Sequence, residues 1–202
     1  MAAALPLVAD PSLARLSQLS IINLNQTSTG YNGNNYTVFG EGEEVLFTLN
    51  EIVPDTFFRG GARRAFQFNG MDTTGRKLFS FARPTGPIFI SDKVELFMNE
   101  ALVSHIHLAR TFMTPIFNIN DALDNPVIRL KGQIFDVNYF QLQTNTKVGI
   151  GAVQKKNKGW TKEMWSFKDD YFINFPVDLA VPFKIAVIVA CVYIDFRFHE
   201  GK

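Results

Sequence analysis

Residues 185–194 read Ile-Ala-Val-Ile-Val-Ala-Cys-Val-Tyr-Ile, ten positions without a charge or a turn former. A segment that is apolar on every side has to be enclosed on every side, by protein or by lipid. Pro182 just before it suits the first turn of a helix. At about 1.5 Å rise per residue such a helix spans roughly 15 Å, half of the roughly 30 Å of bilayer hydrocarbon. Extending it over 181–198 gains length but takes in Lys184, Asp195 and Arg197, charges that near helix ends can snorkel. Three readings are open: a helix in the core of a protein domain, a membrane helix, and a buried strand. Length favours the first, with Ile185, Val189 and Ile194 among its buried contacts.

A helix of that kind needs an apolar wall around it, and the preceding sequence supplies one. Short period-two runs recur, separated by turn formers. Tyr36–Phe39 and Val45–Leu49 flank Gly40-Glu41-Gly42. Phe66–Phe68 and Lys77–Phe81 flank Asp72-Thr73-Thr74-Gly75. Pro115–Ile119 leads through Asn120–Pro126 to Val127–Leu130, and Phe135–Tyr139 leads through Thr144-Asn145-Thr146 to Val148–Ile150. Alternating runs broken by Gly, Asn and Asp are hairpin signals. Hairpins in series with 20 phenylalanines to place form a meander that closes into a barrel or sandwich. Helix signals elsewhere are few. Pro11–Leu19 spaces leucines three apart and suits a short amphipathic helix, whereas Val103–Phe112 fits either a strand or a helix.

The 202 residues allow one domain, and 47% hydrophobic content argues against disorder. With 20 basic and 19 acidic residues the formal net charge is +1, which argues against a nucleic-acid partner. One cysteine, Cys191, excludes an internal disulfide and a cysteine-cluster zinc site. The opening MAAALPLVA lacks the basic start and long apolar core of an export signal. It reads as a short arm, 1–10, before a barrel domain over 11–202. The sequons at Asn25 and Asn35 are then chance matches.

Several motifs in order resemble the phospholipid scramblase family of the tubby-like superfamily. These are the leucine-rich Leu13–Leu19, Arg64-Ala-Phe-Gln-Phe, Asp72-Thr-Thr-Gly-Arg76, Phe81-Ala-Arg-Pro84, Phe172–Leu179 and Ala190–Phe196. The resemblance implies a mainly β fold, a closed antiparallel barrel of about twelve strands around a hydrophobic C-terminal helix. It also implies a protein at the cytosolic face of the plasma membrane that moves phospholipids between leaflets in response to calcium. Many members carry a palmitoylated cysteine cluster after the x-x-R-P motif, where this chain has the cysteine-free Thr85–Ser91. Stable anchoring takes two membrane signals, so cytosol or nucleus is the alternative location.

The family's calcium segment corresponds to Phe167–Asp178. A calcium loop wants oxygen ligands at positions 1, 3, 5, 7, 9 and 12. Asp169 and Asp178 alone offer carboxylates in register, with Asp170 nearby, so calcium as a cofactor is expected to bind weakly or not at all. The competing reading is a polar turn followed by a core strand, Tyr171–Phe175. One basic patch stands out: Lys155, Lys156, Lys158 and Lys162 with Trp160 between them. It suits contact with anionic lipid or a protein partner, an import signal, or a solvated hairpin tip. Arg59, Arg63 and Arg64 form a smaller cluster. His105 and His107 share a strand face but lack companions for a metal site, and His199 suits a helix C-cap.

No nucleophile elbow, phosphate loop or catalytic carboxylate pair occurs. Moving a lipid breaks no covalent bond, so a non-enzymatic, phospholipid-handling protein is the first functional expectation. The alternative is a tubby-like interaction module that binds protein, lipid or nucleic acid. A lipocalin-like carrier requires a barrel that its own helix does not fill.

Overall fold

The computed structural model describes residues 10–28, 33–53, 65–84, 93–109, 114–134, 136–156 and 170–199. Its elements are α1 (Pro11–Gln18), β1 (Ile21–Ser28), β2 (Asn35–Phe39), β3 (Val45–Glu51), β4 (Phe66–Met71), β5 (Lys77–Arg83), β6 (Lys93–Met98), β7 (Ala101–Ala109), β8 (Ile116–Asp121), β9 (Pro126–Gln133), β10 (Asp136–Thr144), β11 (Gly149–Lys156), β12 (Asp170–Asn174) and α2 (Val181–Phe198). Every strand pairs antiparallel with its sequence neighbours, and β12 pairs with β1 to close the barrel. Of Val103–Phe112, left open as strand or helix, residues 103–109 belong to strand β7 (Ala101–Ala109), and 110–112 lie outside the described residues.

Alternation along each strand sorts the side chains. Ile22, Leu24, Tyr36, Val38, Phe47, Phe68, Phe81, Leu96, Phe117, Leu130, Leu142 and Val153 point inward and are buried. The outward positions between them are largely polar, as at Asn23, Thr37, Thr48, Asn69, Glu95, Asn118, Arg129 and Gln154. A membrane-spanning barrel has the reverse pattern, an apolar band outside and a polar lumen.

The inward residues wrap α2, which is buried continuously from Lys184 to Phe196. Its contacts come from around the ring. Tyr193 meets Phe66 of β4 and Phe117 of β8, Phe196 meets Phe66 and Phe68, and Asp195 bonds to β2, β11 and β12. Ile185, Val189 and Ile194 are wholly inaccessible. The described helices include none long and apolar enough to cross a membrane.

Antiparallel order gives the barrel two unlike ends. The end where α2 begins, here end A, holds α1 and the tight turns of β2–β3, β4–β5, β6–β7, β8–β9 and β10–β11. These turns use left-handed residues, among them Glu43, Gly75, Asp124 and Lys147. End B, where α2 finishes, receives the longer connections: 29–34, 52–65, 84–92, 110–115 and 157–169.

α1 covers end A and packs on β3 and α2. Asp10 caps it by accepting from the Ser12 and Leu13 amides at 2.8 and 3.2 Å, and Pro11 occupies the first turn. Leu13, Leu16 and Leu19 face inward.

Val189→Asp places a carboxylate at a wholly buried mid-helix position. A loss of about 3–5 kcal/mol is expected, enough to unfold a marginal domain. Circular dichroism and urea titration of the purified variant check this, and a soluble, cooperatively folded variant contradicts it.

Candidate functional site

The polar chemistry of the interior is concentrated at two points on α2. Toward end B, Asp195 lies inside the ring, 4% exposed. Lys155 Nζ donates to its Oδ1 at 3.0 Å, the Tyr171 hydroxyl to Oδ1 at 3.0 Å, and the Tyr36 hydroxyl to Oδ2 at 2.9 Å. Gln26 Nε2 donates in turn to the Tyr36 hydroxyl at 3.4 Å. Burial, and secondarily the Asp195 charge, push the Tyr171 hydroxyl well above the usual tyrosine pKa, so it stays a donor. Nearby Cys191 bonds to Val187 O at 3.2 Å, and burial raises its thiol pKa well above the ordinary value. The sole cysteine is thus sealed and non-nucleophilic, out of reach of acylation.

Toward end A, Lys184 is also fully buried. Its ammonium donates to Leu16 O at 3.1 Å, Ser17 O at 3.0 Å, Leu19 O at 2.7 Å and Val177 O at 2.9 Å. It also lies 5.1 Å from the centre of the Phe175 ring. Three of those oxygens belong to the last turn and cap of α1, the negative end of the helix dipole, which attracts a cation; Leu16 O also accepts from the Leu19 N–H at 3.2 Å. Burial lowers the Lys184 pKa, while the Asp178 carboxylate acts in the opposite sense.

The basic patch is divided by the fold. Strand alternation turns Lys155 into the barrel and leaves Lys156 outside and exposed, so Lys155 is no lipid or partner contact but half of a buried ion pair. Lys158, Trp160 and Lys162 lie outside the described residues, as do Arg59, Arg63 and Arg64.

The described part of the twelve-residue calcium segment is a strand followed by a turn rather than one continuous loop. Asp170–Asn174 forms β12, extended between β1 and β11. Asp170 pairs with Asn25 and Lys156 toward end B, and Asp178 is exposed in the turn beyond β12 at end A. At about 3.3 Å per residue the strand alone separates the two by roughly 13 Å, whereas calcium ligands sit 2.3–2.6 Å from one ion. The extended backbone thus sets positions 170 and 178 apart rather than side by side. Asp169 lies outside the described residues.

His105 and His107 do share a face, with ring centres 6.1 Å apart. His107 Nε2 lies 3.2 Å from the Asp124 carboxylate, and burial lowers the His105 pKa. Among the described residues no three His, Cys, Asp or Glu side chains gather as a metal centre requires. His199 caps α2 through its backbone N–H, which donates to Asp195 O at 2.9 Å.

A closed twelve-stranded barrel around its own C-terminal helix now stands beside the motif order, and a family model named Scramblase matches residues 8–201. The chain belongs to the Scramblase family. Phospholipid scramblase 1 of Mus musculus is 25% identical over 206 residues, covering 93% of this chain and 62% of that protein. Phospholipid scramblase 1 of Rattus norvegicus is 24% identical, with 96% and 64% covered. Phospholipid scramblase family member 5 of Homo sapiens is 24% identical, with 94% and 78% covered. This chain thus spans 62% to 64% of the length of the two rodent proteins. An X-ray structure of a protein from Arabidopsis thaliana superposes with a TM-score of 0.54 at 11% identity, over 89% of this chain and 94% of that one, a likeness of fold alone.

The motifs that carry the scramblase resemblance have structural duties in this chain. In Asp72-Thr-Thr-Gly-Arg76 the Asp72 carboxylate accepts from Thr74 N at 2.9 Å, Thr74 Oγ1 at 2.7 Å and Arg76 N at 2.8 Å. Arg76 then bridges Asp72 and Asp10, tying the β4–β5 turn to the cap of α1. Arg83 of the x-x-R-P motif is buried over the Tyr193 ring, 5.1 Å from its centre. Phe172–Leu179 holds the last three residues of the closing strand and the turn after it, and the Asp of the last motif is Asp195.

Two outcomes follow. Asp195→Asn removes the negative charge that faces the buried Lys155 ammonium and is expected to cost about 3–5 kcal/mol. The Lys155→Met, Asp195→Asn double variant is expected to cost less than the sum of the singles. A urea-denaturation double-mutant cycle checks this, and strict additivity contradicts it. Separately, the Thr74 hydroxyl, with the Arg76 amide, holds the Asp72 carboxyl at about 2, below its usual 3.8. A depressed carboxyl stabilises the fold fully above its unfolded pKa and less as pH falls through the folded one. Asp72→Asn is therefore expected to melt below the wild type near neutrality, with the gap closing as pH falls from about 4 to about 2. A gap that does not change with pH contradicts the assignment.

Proposed function

We propose that this protein handles phospholipids non-enzymatically, docking on the cytosolic face of an anionic bilayer through end B and easing lipid passage between leaflets. Lipid movement breaks no covalent bond, so the requirement is binding energy at headgroups rather than catalytic side chains.

The observation that carries this reading is the acidic excess at end A, set beside the basic sequence of the segments that join the strands at end B, most of which lie outside the described residues. The connections at end A hold Asp10, Glu41, Glu43, Glu44, Asp72, Glu100, Asp124 and Asp178 against Arg15, Arg76 and Lys147, eight acidic to three basic. An anionic leaflet repels that end. The connections that leave and re-enter the barrel at end B hold Arg59, Arg63, Arg64, Arg110, Lys158, Lys162 and Lys168 against Asp55, Asp92, Glu163 and Asp169, and both tryptophans. Each Lys or Arg near an anionic surface contributes about 1 kcal/mol, and tryptophan favours the headgroup level. The polar outer wall and the enclosed α2 support peripheral attachment rather than a span. The relatives named phospholipid scramblase supply the lipid class.

Co-sedimentation with vesicles tests the docking. Binding is expected to phosphatidylserine-containing vesicles and not to phosphatidylcholine alone, to weaken with salt, and to fall on Lys156→Glu with Lys158→Glu and Lys162→Glu. Glu41→Gln with Glu43→Gln at end A is expected to leave binding intact. Equal binding to both vesicles, or loss through the end A variant, contradicts the reading. A dithionite assay on the same vesicles then tests lipid movement. The cysteine-free stretch 85–91 favours a second reading, a tubby-like interaction module in cytosol or nucleus. A protein that pelleted with neither vesicle yet captured a partner from cytosol would favour it.

A further inference from the structure

The segment that family resemblance assigns to calcium is the one beside which this chain places a cation of its own. Calcium takes 6–8 oxygens, carboxylates prominent among them, at 2.3–2.6 Å. Within the described part of 167–178, residues 170–174 run as an extended strand, so positions 170 and 178 fall toward opposite ends of the barrel. Where backbone oxygens do converge, from Leu16, Ser17, Leu19 and Val177, the Lys184 ammonium already sits among them at 2.7–3.1 Å. The face of Phe175 closes a further side, and solvent does not reach the residue. A ring of neutral carbonyls that strips a small cation of water is the arrangement by which channels hold potassium. Here the ion is covalently tethered to α2.

We propose that Lys184 is a built-in cation that orders the end of β12 and the last turn of α1, so that this segment needs no metal ion and gives the protein no calcium switch. The proposal does not rest on the lipid-handling reading. Leu16, Ser17 and Leu19 belong to the α1 end, Val177 to the turn after β12, and Lys184 to the first turns of α2. One ammonium therefore ties together three segments, alongside backbone bonds such as Phe175 N–H to Ser20 O at 3.0 Å. Asp178, in register as a calcium ligand, instead acts on Lys184 from the exposed turn.

Two measurements test this. The first is calorimetric titration of the wild type and of Asp178→Asn with calcium chloride. Absence of a saturable heat in both is expected, and a site that saturates in the wild type and vanishes in Asp178→Asn overturns the proposal. The second is thermal melting of the wild type, Lys184→Ala and Lys184→Met in matched chloride salts of choline, sodium, potassium and methylammonium. The wild type is expected to melt alike in all four. Lys184→Ala is expected to melt several degrees lower in choline and to recover in methylammonium, which enters the vacated cage. Lys184→Met fills the stem's volume without a charge and is expected to remain low in every salt. A folded Lys184→Ala as stable as the wild type, or one that no small cation rescues, overturns the proposal. Should Lys184→Ala fail to fold in any salt, the calcium titration decides.

Discussion

The rest of the structure depends on one constraint: a helix apolar around its whole circumference, too short to cross a bilayer, has to be enclosed by its own chain. A sheet that closes on itself provides that enclosure and leaves no unpaired edge. Twelve strands suffice because inward positions are large, with Phe47, Phe68, Phe79, Phe81, Phe117 and Phe140 filling the space between helix and wall. Helix and barrel are therefore one folding problem. Neither buries its apolar surface without the other, and β12, the strand that closes the ring, leads directly into α2.

Apolar enclosure alone leaves the helix free to slide and rotate, since every side is equivalent. Lys184 and Asp195 remove that freedom. They are eleven residues apart, three turns and about 16 Å of helix, and so lie on nearly the same face. Each is held by directional partners, four carbonyls at one end and Lys155, Tyr36 and Tyr171 at the other. Buried ionic groups often add little net stability, and their best-attested use is to fix register. That use fits a helix with no other marker of position.

Much of the barrel was legible because inward and outward residues differ in polarity, which makes period-two runs visible. The hairpins β2–β3, β4–β5, β8–β9 and β10–β11 follow from that pattern, whereas α1 follows from leucines three apart and α2 from its unbroken apolar run. β1 was harder, since Asn23, Asn25 and Gln26 make it resemble a loop, and β6 has only three inward residues, Val94, Leu96 and Met98. β7 was ambiguous because Ser104, His105 and Ile106 are all buried in succession, which erases the alternation. The candidate site was less legible. Lys155 and Lys156 look alike in sequence, and one step along the strand decides which is buried and which faces water. The carboxylates at 170 and 178 look close in sequence because a strand's length is invisible until it is known to be extended. The eleven-residue spacing of Lys184 and Asp195 was the available signal for a pinned interior helix.

The central claim is that α2 is the core of the barrel and stays there when the protein meets lipid. Cys191, the sole cysteine, reports on it from the middle of the helix. Its labelling should be measured with a water-soluble maleimide and with a bilayer-dissolved maleimide, with and without phosphatidylserine-containing vesicles, and again across a urea titration. Enclosure predicts no labelling of the native protein by either reagent under any vesicle condition, and labelling that rises with urea in step with global unfolding. Labelling by the bilayer-dissolved reagent in the vesicle-bound native protein would show that the helix leaves the barrel for the membrane, and would contradict the account.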